Sequence, residues 1–243
     1  MRTSPWLICI VASVLVLAQA CLNEPTPEGP TPVERMLAES ADPAAEDSLR
    51  AHINFDYENL NRVVWQKPDE IIALLGTLRG KTVVEVGSGT GFFTRRLART
   101  ADKVIALDID PGMLLLLDSL NAEQLDPAAY ARVDPRLVPA DTPNLGDGEA
   151  DAALLVNTFM YIQDGPAYLR KLAGGLQPGS TVLVVDFKAA NTPVGPPVSR
   201  RLPATRVEDA LRHAGYRDIV TDEHTLAYQY IVRGVVSAEK DLL

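Results

Sequence analysis

Cysteine is nearly absent from this 243-residue chain, and its two copies, Cys9 and Cys21, both fall near the N-terminus. Chain beyond residue 21 therefore has no disulfide framework and no thiolate cluster for a metal. Histidine is almost as scarce. His52, His213 and His224 are too widely spaced to act as neighbouring ligands on one helix or loop, so no bound metal is expected. Basic residues are outnumbered, with Lys+Arg 23 against Asp+Glu 32 and a net charge of −9. There is also no long basic run, so a nucleic-acid backbone is not the expected partner. Long apolar runs are missing too, apart from Trp6 to Ala20. At about 15 residues, that run is short of the roughly 20 a spanning helix needs.

The apolar run has the flanks of a targeting segment. Arg2 precedes it, Leu17-Ala18-Gln19-Ala20-Cys21 ends it, and acidic, proline-rich chain follows. This is the pattern of a bacterial secretion signal with a small-residue cleavage site. Cys21 directly after Ala20 resembles a lipobox, in which the cysteine is lipidated and becomes the mature N-terminus. Ala18-Gln19-Ala20 also satisfies an ordinary cleavage site. Three readings stay open: a lipoprotein, plain secretion, and a short uncleaved anchor. In each, positive charge before the apolar run and negative charge after it place the rest of the chain outside the cytoplasm. The expected form is a bacterial lipoprotein on the periplasmic or cell-surface side, held to the membrane at Cys21. Cleavage before Cys21 removes Arg2 and no acid, leaving 22 basic residues (23 − 1) against 32 acidic ones.

Three segments follow from this: a signal peptide at 1–20, a flexible linker at 21–50 and one folded domain at 51–243. The linker holds Pro25, Pro27, Pro30, Pro32 and Pro43 among small and acidic residues. It cannot bury enough apolar surface to offset its ordering entropy. Beyond it, apolar runs of strand length at 81–86, 103–108, 136–139, 152–157 and 180–187 alternate with helical patterns near 91–100, 111–121 and 165–175. A helix beginning at Pro68 precedes them, with the proline in its first turn. The end reads as a helix at 204–214 followed by runs at 218–221 and 226–232. The spacing predicts an α/β fold. Its sheet is doubly wound and Rossmann-like, with seven mostly parallel strands and an antiparallel C-terminal hairpin.

The segment Val83-Val84-Glu85-Val86-Gly87-Ser88-Gly89-Thr90-Gly91-Phe92-Phe93-Thr94 carries the most chemistry. A β-branched run feeds a glycine turn, whose bare backbone lets a ligand approach the amides at the start of the next helix. A second run, Val104-Ile105-Ala106-Leu107-Asp108, ends in a carboxylate 21 residues after Gly87 (108 − 87). That suits an acid binding ribose hydroxyls at the end of the next strand, so the pair reads as a site for a nucleoside-containing cofactor. A dinucleotide site would show G-x-G-x-x-G. Here the glycines fall at alternate positions and the sixth place is Phe92. Glu85, two residues before the first glycine, would repel a pyrophosphate and attract a cationic ligand. These features oppose a nicotinamide-dependent oxidoreductase.

The motif resembles motif I of class I S-adenosylmethionine (SAM)-dependent methyltransferases, and the resemblance extends over roughly residues 57–243. It implies that Glu85 orients the methionine end of SAM while Gly87, Ser88, Gly89 and Gly91 pack against the ligand. Asp108 and the following Ile109 would hold the ribose and adenine. Pro139-Ala140-Asp141, with Thr142, resembles the loop near the adenine amino group. Asp151-Ala152-Ala153-Leu154-Leu155-Val156-Asn157-Thr158 resembles motif IV, placing Asn157 near the reacting methyl. Leu176-Gln177-Pro178-Gly179-Ser180 resembles the turn before strand five. Trp65-Gln66-Lys67-Pro68, Asn157 to Ile162, Val185 to Lys188, Gly195-Pro196-Pro197 and Tyr228-Gln229-Tyr230 together resemble one uncharacterised bacterial branch of the family.

Members of that branch usually carry histidines where Met160, Tyr161 and Arg200 stand here. Those three residues are expected at the pocket mouth, and the catalytic candidates are Tyr161 and Asp186. The function implied is methyl transfer from SAM to an acceptor of unspecified class. The alternative is a non-catalytic exported module that binds a nucleoside or a protein partner on the same fold. If Cys21 is lipidated, the native chain should incorporate labelled fatty acid and Cys21→Ser should not; equal labelling of the two would exclude the modification.

Overall fold

β-branched and leucine-rich runs form the middle of one seven-stranded sheet. The computed structural model describes residues 61–237, so Cys21, the signal segment, the linker and the expected domain start at Ala51 lie outside the described residues. The strands are β1 (Thr82–Val86), β2 (Lys103–Asp108), β3 (Val133–Leu137), β4 (Ala150–Val156), β5 (Leu176–Phe187), β6 (Tyr216–Asp222) and β7 (Gln229–Val236). Their order is β3-β2-β1-β4-β5-β7-β6. The first five in this order pair in parallel, whereas β7 runs antiparallel to both β5 and β6. This is the expected doubly wound sheet with its C-terminal hairpin.

The helices are α1 (Arg62–Gln66), α2 (Pro68–Ala73), α3 (Thr94–Leu97), α4 (Pro111–Gln124), α5 (Pro127–Tyr130), α6 (Gly165–Gly174) and α7 (Ala204–His213). Local chemistry starts several of them. Asp110 caps α4 by accepting from the Gly112 N–H at 2.7 Å, and Asp126 caps α5. Asp164 caps α6 through the Ala167 N–H. Each of these helices also has proline in its first turn, where a missing N–H is harmless. Apolar side chains cover both faces of the sheet. One core joins Val84, Ile105, Leu155 and Val184 to α6 and α7. The other joins Val83, Val104, Leu154 and Leu183 to Ile71, Phe93 and Leu97.

Several elements differ from the sequence expectation. The helix expected at 91–100 shrinks to four residues, because the glycine turn consumes its first half and Gly91 is left-handed at φ +82°. The third strand lies at 133–137 rather than 136–139. It is hidden in sequence by Asp134-Pro135-Arg136, and its proline is tolerated because β3 is an edge strand. Arg136 there bridges Asp134 and Glu149 at 2.7 and 2.6 Å. Short α1 and α5 were not anticipated. Left-handed Lys67, at φ 48°, separates α1 from α2.

Strand order reverses at the centre of the sheet. From β1 the chain winds outward to β2 and β3, then returns to β4 on the other side. The crevice above the C-terminal ends of β1 and β4 is therefore the place where such a sheet takes a ligand. Gly91, expected against the ligand, does not line the cavity there and is held by packing instead: an added Cβ would lie 3.0 Å from Cγ of Leu117, a buried side chain of α4. Gly91→Ala should lower unfolding stability by about 1–3 kcal/mol in urea titration, through backbone strain and crowding of Leu117.

Candidate cofactor and active site

A cavity of about 200 Å³ opens at that reversal point. Its walls come from the glycine turn (Gly87, Ser88, Gly89, Thr90), from Glu85 on β1, and from Asn157 and Thr158 after β4. Arg62, Phe92, Phe93, Met113 and Val156 complete it. The three glycines are needed for different reasons. A Cβ at Gly87 would overlap the Thr158 side chain, and one at Gly91 would crowd Leu117. At Gly89 a Cβ would meet nothing within 4 Å, so the bare backbone there faces open space that a ligand can enter. Ser88 Oγ is buried without a hydrogen-bond partner among the described residues, and it lines the same cavity. A buried hydroxyl with no partner favours a polar ligand.

Glu85 is the acid of the site. It is buried at the end of an apolar strand, and its Oε2 accepts from Thr94 Oγ1 at 2.5 Å. Burial pushes its pKa up to about 8, against the lowering effects of the Thr94 hydrogen bond and the nearby Arg62 and Arg95. Arg62 stands over the Phe92 ring at 4.0 Å, and Arg96 also lies over that ring, at 3.9 Å.

A relay of amides ties the cavity to distant chain. Arg62 Nε donates to Gln66 Oε1 at 2.7 Å, and Gln66 Nε2 donates to Gln229 Oε1 at 2.9 Å. Gln229 Nε2 then donates to Asn157 Oδ1. Gln66 and Gln229 are completely buried. Asn157 itself is left-handed at φ 58°, a conformation asparagine accepts more readily than most residues. The relay thus fixes one strand end, the opening helix and the C-terminal hairpin together.

The structure brings together Glu85, Gly87, Ser88, Gly89 and Asn157 as expected. Asp108 sits beside them: its Oδ2 accepts from the Gly89 N–H at 2.8 Å, and its Oδ1 from the Asp110 N–H at 3.0 Å. Unused lone pairs remain for hydroxyl donors. Ile109 follows as a 63 % exposed apolar side chain. Asp141 does not line the cavity. Its Oδ2 pairs with Lys171 at 3.0 Å on an exposed loop, while neighbouring Thr142 accepts from the Asn144 N–H.

Neither Tyr161 nor Asp186 borders this cavity. Asp186 is 0 % exposed beneath the short 3₁₀ turn Phe159–Tyr161, where its Oδ2 accepts from the Met160 N–H at 3.2 Å. It holds that turn from below, and burial raises its pKa to about 8. Met160 and Tyr161 border a separate hollow instead, and Arg200 lies in a second 3₁₀ turn, Val198–Arg200, and borders neither. Sequence reasoning missed Arg62, Thr94, Met113 and the Gln66–Gln229 link. Arg62 lies four residues before Gln66 on one helix face, and only their meeting with Gln229 shows that it faces the site. Arg95 donates to the Thr90 carbonyl at 2.6 Å, and Arg96 stacks on Phe92.

Residues 84–184 match the methyltransferase domain family. The chain is 31 % identical over 123 residues to demethylmenaquinone methyltransferase of Tropheryma whipplei (strain Twist), covering 51 % of this chain and 48 % of that protein. It therefore spans about half the length of such relatives. Among solved structures it is similar to a SAM-dependent methyltransferase from Aquifex aeolicus, with a TM-score of 0.67 and 21 % identity over 74 % of this chain and 95 % of that one. Phosphoethanolamine N-methyltransferase 2 of Haemonchus contortus, solved in complex with SAM, matches with a TM-score of 0.59 and 15 % identity, over 71 % of this chain and 53 % of that one. By its domain match over residues 84–184 and its strand order, the chain is similar to the class I SAM-dependent methyltransferases.

Proposed function

We propose that this chain is a working SAM-dependent methyltransferase, exported and held to a membrane through Cys21. The observation that carries the enzymatic reading is the pairing of a buried acid, Glu85, with Arg62 in one cavity that opens onto bare backbone at Gly89. An ammonium beside a carboxylate, as at the methionine end of SAM, complements that acid and that base. The unpartnered Ser88 Oγ fits the same polar ligand. A cavity of about 200 Å³ is smaller than most whole-ligand sites. It suits the methionine end, with the ribose at Asp108 and the adenine along exposed Ile109. Export rests on the N-terminal pattern of charge and apolar residues, and the methyl acceptor on neither.

When bound, SAM supplies a methyl group on a cationic sulfur, and transfer to a nucleophile discharges that cation. This chain's residues bind and orient. Glu85 faces the cationic end, and Arg62 the carboxylate. Gly89 lets the ligand approach the backbone, and Asp108 accepts from hydroxyls. Phe92, Phe93, Met113 and Val156 keep the surroundings apolar, which favours loss of charge. Asn157, fixed by Gln229, marks the edge nearest the acceptor, and positioning supplies much of the rate.

Calorimetry with SAM and turnover with product detection test the proposal; absence of heat and of turnover at millimolar SAM would overturn it. Asp108→Ala should weaken SAM binding by about 1.5–3 kcal/mol, because hydroxyls lose a charged acceptor. Unchanged affinity in that variant would remove the ribose assignment.

Glu85 adds a pH signature. With its pKa raised from 4.5 to about 8, the ligand-free protein holds most of this proton at pH 7. The unfolded chain does not, so the stability associated with this proton is complete below pH 4.5 and is lost as pH rises through about 8. A cationic ligand favours the ionised form. SAM binding at pH 7 should therefore release most of one proton, read as a binding enthalpy that depends on the buffer's ionisation enthalpy. In Glu85→Gln that dependence should vanish.

A further inference from the structure

The 157–161 segment is a wall with two sides. Asn157 and Thr158 face the cofactor cavity, whereas Met160 and Tyr161 face a second hollow of about 730 Å³ between the 3₁₀ turn, α6 and α7. Its floor is made by the Phe159 ring packed on the start of α6. Gly165 permits this packing, because a Cβ there would come 2.5 Å from Phe159 Cζ. Apolar surface comes from Met160, Ile162 and Leu202, and the Tyr161 ring stands at the rim, 56 % exposed.

Charge in this hollow runs against the chain as a whole, which carries −9. Arg170 of α6 and Arg206 and His213 of α7 border it, with Asp209 as the one carboxylate. Asp209 is already paired with Arg212, at 2.7 Å. The Arg206 guanidinium has no hydrogen bond or ion pair among the described residues. Arg170 Nη1 reaches only the His213 carbonyl, at a long 3.4 Å. Two guanidiniums with donors to spare therefore lie beside an apolar wall. Such forks match the oxygens of a phosphate or a carboxylate, and the Met160, Ile162 and Leu202 surface would cover an apolar body attached to that head.

We propose that this hollow is a second binding site, for an amphipathic anion with a phosphate or carboxylate head and an apolar body. The test uses full-length protein with octyl phosphate and octanoate, both below their micellar concentrations, and with inorganic phosphate and neutral octyl glucoside. Calorimetry should show an octyl anion binding at least tenfold more tightly than octyl glucoside or inorganic phosphate, and the tighter of the two anions identifies the head group. Arg170→Gln/Arg206→Gln should weaken that binding at least tenfold. SAM affinity should stay within twofold, since neither arginine borders the cofactor cavity. Both side chains are exposed, and circular dichroism checks that the variant folds. Unchanged affinity in the double variant, equal binding of the neutral octyl compound, or equal binding of inorganic phosphate would each overturn the proposal. None of these readouts depends on methyl transfer.

Discussion

Thr158 lies where any side chain at position 87 would have to go. The turns after β1 and β4 leave adjacent parallel strands, with Val86 paired to Leu155, and they touch immediately above the sheet. Thr158 Oγ1 folds back to donate to the Val156 carbonyl at 3.0 Å, which presses its side chain against the Gly87 backbone. Gly87 also holds φ +73°. Steric contact and backbone conformation both demand glycine there. The cavity, the position of Asn157 and the path of the 3₁₀ turn all follow from this one close approach.

Buried charge shapes the remainder. A carboxyl at the end of an apolar strand is costly to ionise, and Glu85 and Asp186 both carry that cost, each with its pKa pushed up to about 8. Their surroundings differ. Glu85 opens onto a cavity beside Arg62 and can exchange its proton for a cationic ligand. Asp186 is sealed beneath backbone. Its Oδ1 and the hydroxyl of Tyr230, its direct partner in the β5–β7 ladder, both lack a hydrogen-bond partner among the described residues. One acid faces the cavity and the other supports the wall beside it.

That wall is also tied laterally. Trp65 packs against Phe187 and Tyr228 with ring centroids 5.7 and 5.9 Å apart, next to the Gln66–Gln229–Asn157 relay. The loop between β5 and α7 is gathered by Arg201, which donates to the Pro196, Ala190 and Lys188 carbonyls and lies over Phe187. The opening helix, the edge hairpin and this loop thus converge on the end of β5. The short motifs around Trp65, Val185, Gly195 and Tyr228, scattered in sequence, are parts of one packed cluster.

The sequence by itself determined the sheet class, the glycine turn, the acid before it and the acid after the next strand. These are local signals: a β-branched run, a turn needing positive φ, and a carboxylate at a spacing set by one βαβ unit. The helical patterns near 111–121 and 165–175 likewise placed α4 and α6 to within a few residues. Only the tertiary structure decided that Arg62 shares a cavity with Glu85, that Gln66 meets Gln229 across 163 residues, and that Asp186 lies under a turn instead of facing the cavity. It also decided that β3, polar and proline-bearing, is a strand, because ion pairs with β2 and the chain before β4 replace the apolar pattern. Periodicity records which face of an element is apolar. Which distant side chains meet over the strand ends depends on how the elements pack, and no local spacing encodes that.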